Sequence, residues 1–526
     1  MSIATRRAPY DGISRKLVLA FDVGTTYSGI SYRFPAHEKV GGSCKIPTIV
    51  YYDQDGKVRA AGAEAIRESL RDVIEDEGWI KAEWCVIPYL APSSAETSIL
   101  RFKLHMQPEG ESKSDMLDKI PPLPPGKSAI VVVSDFYRYL YGCARTFIVE
   151  SYQNGPQLWE SLESTIDFVL SHPNGWEGKQ QQKMRRAAVL ADLIPDTDAG
   201  HARIRFVTEG ETSLHFCLQS GMKNDAFKDG SGVIIIDAGG GTVDLSAYGA
   251  ATSRTDEFEE ISPPQCLLQG SVHVNIRARD FLTDYLKESK FAQDIDAMVD
   301  FFDKSAKLAF DSGPLFIKFG GARDRDVKLR IRSGQLTLAG KDVATFFEPS
   351  ILSIIQAVKL QISGSRKPIK SLFLVGGFSA SEYLFSKLRE VFEPLGLSLC
   401  RPDSHLNKAV ADGAVSFYLD HYISVRISRH TYGTKCNQSL LAGGTTKVLT
   451  LCTKPFFSEA DIFPDPGFTT LCTIEADTKI ASFDLKPKLN AKQQEYFQLD
   501  FDIILSFGLT ELKAQIAWKQ DGTEKR

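Results

Sequence analysis

The 526-residue sequence predicts an α/β protein that ends in a separate all-β unit, and three observations support this. Between residues 164 and 393, short runs of branched and aromatic residues alternate with segments whose apolar residues recur every three or four positions, the pattern of strands covered by helices. Two distant stretches, "LVLAFDVGTTYSGI" at 17–30 and "GVIIIDAGGGTVDLSAYG" at 232–249, share one form: apolar strand, Asp, any residue, Gly, hydroxyl-bearing turn, second strand. After about Asp420 the texture changes to strict alternation, as in "TKVLTLCT" and "FQLDFDIIL", which reads as strands with one covered face.

In chain order, residues 1–16 read as a flexible lead. "KLVLAF" (16–21), "GISYRF" (29–34) and "TIVYYD" (48–53) read as an opening β-meander, followed by a helix from about Ala61 to Glu75. Residues 91–127 are rich in Pro, Ser and charge and suit a surface excursion. Its "PPLPPGKS" ends like a phosphate-binding P-loop, but Pro121 stands where that motif needs glycine, and proline has no N–H to offer a phosphate. Ile130, Val133, Tyr137, Leu140, Ala144 and Phe147 keep helical spacing over 128–152. A strand in 164–176, a helix at 178–193 and a strand then helix over 202–218 follow. Next come a strand at 232–237, helices near 277–312, a helix at 342–361, a strand at 371–375, and a helix at 379–393 with Ser379 as its N-cap. In the tail, Leu499, Phe501, Ile503 and Leu505 fall on one strand face opposite Gln498, Asp500 and Asp502.

Composition narrows the function. Lys plus Arg (62) against Asp plus Glu (66) leave a formal net charge of -4, so no global field draws the chain to nucleic acid or to a membrane, and neither is expected as a partner. Nine cysteines without a C-x-x-C pair suit reduced thiols rather than disulfides or zinc. No run approaches the roughly 20 apolar residues of a membrane span, and the first residues lack a signal-peptide core. A cytoplasmic or nuclear location is therefore expected. The nine histidines show no paired metal-binding spacing.

The chemistry lies in the repeated hairpin. Glycine lets backbone N–H groups approach phosphate oxygens without a Cβ between them. An aspartate at a strand end can hold Mg²⁺ through water, because that ion keeps most of its hydration. A third stretch, "SLFLVGGFSASEYLFSKL" at 371–388, places Gly376 and Gly377 between strand and helix, where a ring or ribose could pack on bare backbone.

The order D-x-G-T-T-Y, D-x-G-G-G-T-x-D, then L-V-G-G before a helix resembles the actin-like (ribonuclease-H-like) ATPase superfamily, and within it the seventy-kilodalton heat-shock chaperones. "SRHTYGTK" (428–435) and "SFGLTELKA" (506–514) resemble the divergent type 12 branch, which has a short β tail and no helical lid. The resemblance covers about residues 17–420. It implies a two-lobed fold with nucleotide-binding lobe I at 17–230, lobe II at 231–404, a helix at 405–420 returning to lobe I, and a reduced substrate-binding unit at 421–526.

By the same resemblance, Asp22 and Asp237 would flank Mg²⁺, and Gly24, Thr25, Thr26 and Tyr27 would line the γ-phosphate. Gly239, Gly240, Gly241 and Thr242 would wrap the phosphates, while Asp244 would support that loop or hold K⁺. Glu209 would orient the attacking water and Lys103 would neutralise the transferred phosphoryl group. Lys304 and Lys307, on one helix face, and Gly376, Gly377 and Phe378 would hold the nucleoside. The chain departs from the family at Gly210, where a proline is usual, and at Leu308, where an arginine would stack on adenine. The implied activity is slow hydrolysis of ATP to ADP, coupled to a β unit that holds apolar or unfolded peptide, with co-chaperones or exchange factors as partners. A small-metabolite or sugar kinase on the same fold and a nucleotide-gated scaffold with little hydrolysis are the alternatives.

Overall fold

A computed structural model describes residues 16–33, 41–42, 46–83, 123–176, 178–222, 227, 230–251, 257–402 and 409–427, and beyond them the strands between 431 and 525. The chain is a mixed α/β protein with several sheets. It divides into two compact units, one of Met1–Gly175 with Lys183–Ile427, the other of Trp176–Gln182 with Ser428–Arg526.

Two six-stranded sheets organise the first unit. In the first, Val18–Asp22 pairs antiparallel with Tyr27–Arg33 on one side and parallel with Asp167–His172 on the other, and Ile204–Thr208 follows parallel. In the second, Gly232–Ala238 pairs antiparallel with Val243–Ala250 and parallel with Ile369–Val375, and Ser398–Cys400 follows parallel. Each Asp-x-Gly hairpin therefore contributes the strand at the centre of its own sheet. Central strands have both faces covered, which explains their unbroken apolar runs: Val18, Leu19 and Ala20, like Val233 to Ile236, are fully buried.

Helices cover these faces. Ala129–Ser151 starts at Ser128, whose Oγ accepts the Val131 N–H at 3.4 Å, and it buries Val133, Phe136, Tyr137, Leu140, Ala144 and Ile148. Phe147, expected on that face, is exposed, and Ile148 takes its place. Ala409–Asp420 returns to the first sheet and packs Ala414, Val415 and Phe417 on Val18, Ala20, Val169 and Val207. The second sheet is covered by Ser271–Leu286 and Gly340–Ser363 around a core that includes Leu282, Phe346, Phe347, Ile354 and Leu384.

Several expectations need correction. Ile49–Tyr52 leaves the opening meander and pairs instead with Val58–Ala61 and Ile80–Glu83 in a separate three-stranded sheet. The expected helix at 61–75 is two 3-10 turns, Glu64–Ile66 and Glu68–Leu70, then Arg71–Asp76, because Arg67 between the turns is extended. Ser379 does not cap the helix that follows. Its Oγ donates to Gly376 O at 2.5 Å inside a 3-10 turn, and Ser381 caps Glu382–Phe392 by accepting the Leu384 N–H at 3.3 Å. The β tail starts later than 421, since Ile423–Val425 joins the second sheet beside Phe258–Leu267.

Among the described residues of the second unit, the strands fall into three antiparallel groupings. Thr431–Cys436, Thr446–Lys454 and Thr469–Asp477 form one, Lys488–Leu489 with Glu495–Tyr496 another, and Phe501–Phe507, Leu512–Gln520 and Thr523–Lys525 the third. Gln498, Leu499 and Asp500 of the proposed tail face lie outside the described residues, as does most of the 91–127 excursion.

Candidate functional site

The turns of the two repeated hairpins meet tip to tip. A Cβ placed on Gly240 would lie 2.5 Å from Thr26 Oγ1, and one on Gly241 would lie 2.5 Å from Thr25 Oγ1. Only bare backbone lets the tips come this close. The first turn is held from behind by Thr48, whose N–H donates to Thr26 O at 3.1 Å and whose hydroxyl donates to Gly24 O at 3.2 Å. Gly24 is required locally, because a Cβ there would fall 2.2 Å from Tyr27 O.

The second turn has its carbonyls and amides sorted. Gly239 O, Gly240 O and Gly241 O accept the N–H groups of Ser271, Val272 and Gly270 at 3.1, 2.9 and 3.1 Å. These donors are the first N–H groups of helix Ser271–Leu286, the ones a helix leaves unsatisfied. Among the described residues, the N–H groups of Gly240, Gly241 and Thr242 donate to no protein acceptor. Three successive amides without a protein acceptor are donors that an anion could use.

Each turn follows a strand-end aspartate two residues before its first glycine, Asp22 before Gly24 and Asp237 before Gly239. Asp22, the last residue of its strand, accepts from Ser171 Oγ at 3.1 Å. Asp237 accepts from Ser213 Oγ at 2.7 Å, and Asp244 is its cross-strand partner. Asp244 is fully buried, and its Oδ1 accepts the Asn174 N–H at 2.6 Å. Burial pushes the Asp244 carboxyl well above the usual carboxylate range, and the charges of Glu209 and Asp237 push it further against the Asn174 N–H and the Thr242 hydroxyl. Burial and like charge both penalise the ionised form, so a cation placed among these groups would restore it. Glu209 opens helix Glu209–Cys217 behind its N-cap Thr208, whose hydroxyl accepts the Glu211 N–H at 3.2 Å.

Gly210 has a packing reason. A Cβ there would sit 2.2 Å from Ser246 Oγ and 3.1 Å from Asn174 Nδ2, so the helix approaches the second sheet too closely for any side chain. Gly376 stands at φ 85°, and a Cβ on it would come within 2.4 Å of Asp237 Oδ1 and 2.5 Å of Ala238 O. Gly377 opens the following 3-10 turn. The Phe378 side chain turns away into the core and stacks on Phe347 at 6.2 Å, so only its backbone can face a ligand.

The two lysines are not brought to one face. A π-helical turn, Phe302–Ala306, separates them in phase. Lys304 is exposed and pairs with Asp300 at 2.7 Å. Lys307 is buried, pairs with Asp303 and donates to Asn275 Oδ1 at 3.1 Å. Leu308 is 37% exposed. Tyr27, beside the first turn, is also exposed. Lys103 lies outside the described residues.

Sequence reasoning missed Ser171, Asn174 and Ser213, which hold the three aspartates. Ser171 and Asn174 belong to "SHPNGW", at the carboxyl end of the strand parallel to Val18–Asp22, where open α/β sheets place their sites. That position was the available signal. Among the described residues, no group of three His, Cys, Asp or Glu side chains is arranged to chelate a metal. A metal beside Asp22 or Asp237 would then complete its shell with water or ligand oxygens.

No protein-family model and no curated protein matches this chain.

Proposed function

We propose that the first unit is an actin-like, two-lobed module that binds Mg-ATP, and that the protein is a slow ATPase of the seventy-kilodalton heat-shock type, akin to its type 12 branch. The observation that carries this reading is the tip-to-tip meeting of the two Asp-x-Gly hairpins, with the Gly240, Gly241 and Thr242 amides free of protein acceptors. The matching strand order of the two sheets supports the two-lobed fold, each hairpin central and followed by two parallel strands.

The residues fit the ligand. The glycine positions are ones that a Cβ would close, and the buried Asp244 carboxyl lies under the like charges of Glu209 and Asp237. The amides of Gly240 to Thr242 would hold phosphate oxygens, and Asp22 and Asp237 would hold Mg²⁺ through water. Bound magnesium supplies charge neutralisation between the phosphates. Glu209, at the helix start beside Asp244, would accept a hydrogen bond from water at its carboxylate and so orient it. Ser171 and Ser213 keep Asp22 and Asp237 aimed, which matters because phosphoryl transfer depends on positioning and electrostatics.

A nucleotide-gated scaffold with little hydrolysis is the second reading. It is favoured by Lys307, which is engaged with Asp303 and Asn275, and by Leu308 at the base-stacking position.

Calorimetry and thermal unfolding with Mg-ATP and Mg-ADP test the proposal. Binding heat and stabilisation are expected, with both lowered at least tenfold in apparent affinity by Asp22→Asn or Asp237→Asn. Absence of both heat and stabilisation in the wild-type protein would sink both readings. ATP turnover with and without an unfolded polypeptide then separates the chaperone from the scaffold.

A further inference from the structure

We infer that residues 315–338 form a cationic flap that docks the protein on an anionic lipid surface. Leu315–Lys318, Gln335–Leu338 and Ile331–Arg332 make a three-stranded antiparallel sheet joined by a loop over 319–330. Its inner face is apolar, with Leu315, Ile317, Ile331, Leu336 and Leu338 buried in the second-sheet core. Its outer side carries Lys318, Arg323, Arg325, Lys328, Arg330 and Arg332, all exposed.

Six basic residues against Asp324 and Asp326 give the flap a net +4, so the rest of a chain of net charge -4 carries -8. The average had concealed a strongly positive patch. The two aspartates shape the loop and, among the described residues, form no ion pair with these cations. Asp324 Oδ2 accepts the Gly321 N–H at 2.7 Å, and Asp326 Oδ1 accepts those of Lys328 and Leu329 at 2.9 and 3.2 Å. Among the described residues none of the six cations is ion-paired, whereas exposed cations elsewhere are, such as Arg186 with Asp196 and Lys387 with Glu390.

Two exposed apolar side chains sit among these charges, Val327 at the loop tip (62% exposed) and Phe316 on the outer strand face (51%). Cations interleaved with apolar tips suit a headgroup region, where charge attracts and apolar groups insert. A nucleic-acid partner would call for a row of stacking aromatics, and Phe316 is the one aromatic on the outer face.

Sedimentation of the full chain with phosphatidylcholine vesicles, with and without phosphatidylserine, at low and high salt, tests this. Binding is expected only with phosphatidylserine and should fall with salt. Each cation near the surface contributes about fivefold, so the variant Arg323→Gln, Arg325→Gln, Lys328→Gln, Arg330→Gln should bind about 600-fold more weakly. An unchanged unfolding midpoint shows that this variant is folded, and the single variant Lys328→Glu, expected to lose at least about fivefold, serves if it is not. Equal binding to neutral vesicles, no binding to either, or unaltered binding by the variants would overturn the inference. So would tighter binding of a single-stranded RNA oligonucleotide than of the phosphatidylserine vesicles at equal salt.

Discussion

Replacing Gly241 by alanine would put a methyl group 2.5 Å from Thr25 Oγ1, 2.6 Å from its Cγ2 and 3.0 Å from its Cβ. Rotation about χ1 cannot relieve this, because both γ atoms and the β carbon are in the way. Gly241 does not have a positive φ, so alanine meets no backbone penalty there and the effect is steric alone. Overpacking of this kind costs about 1–3 kcal/mol. Thr25→Ala removes both γ atoms and leaves only the 3.0 Å contact. In the double variant, about 1 kcal/mol or more of the loss should return as a coupling energy. Urea unfolding of the four proteins of the cycle measures it. The same series read with Mg-ATP reports on function, since saturation at a hundred times Kd stabilises by about 2.7 kcal/mol and a tenfold weaker site gives about half that. If Gly241→Ala unfolds like wild type, or if the two substitutions are simply additive, the hairpin tips are not in contact and the case for the site fails.

Gly376→Ala combines a φ of 85° with contacts to Asp237 and to backbone that cannot move, so a loss of about 3 kcal/mol in urea unfolding is expected. Arg426→Met strands the buried Glu211 carboxylate, which now accepts from Arg426 at 2.6 and 3.3 Å. Burial already raises the Glu211 carboxyl above its ordinary value, with Arg426 pulling it down. A raised folded value gives stability that is present at low pH and lost as pH rises through it, and removing Arg426 raises it further. The variant should therefore lose about 3 kcal/mol at pH 8 and clearly less at pH 5, read by thermal unfolding at the two values. Ser381→Ala removes the cap of Glu382–Phe392 and should cost about 1 kcal/mol, whereas Ser379→Ala should leave helix content in circular dichroism unchanged.

The Asp-x-Gly hairpins were legible because turn chemistry is local, a strand end, a glycine and a hydroxyl within six residues. Their meeting was not, since it joins residues about 215 positions apart and depends on two sheets folding first. Ile49–Tyr52 has the composition of a strand, but composition does not name its neighbour, so the sequence does not place it in its own three-stranded sheet. Ser379 and Ser381 are equivalent as letters, and only the 3-10 turn beginning at Gly377 decides which of them caps. The π turn at 302–306 defeated the helical wheel for Lys304 and Lys307 in the same way. Buried polar residues such as Asn174, whose Nδ2 donates to Leu245 O, Ser246 Oγ and Gln265 O, leave no periodic trace at all.

The return of Ala409–Asp420 to the first sheet bears on how the chain is made. Ser31 hydrogen-bonds Asp412, 381 positions further along the chain. At about 5–20 residues per second, a ribosome needs roughly 20–80 s to deliver the second partner after the first. Through that interval the earliest strands wait with one apolar side uncovered, and nascent-chain holdases have their longest opportunity there.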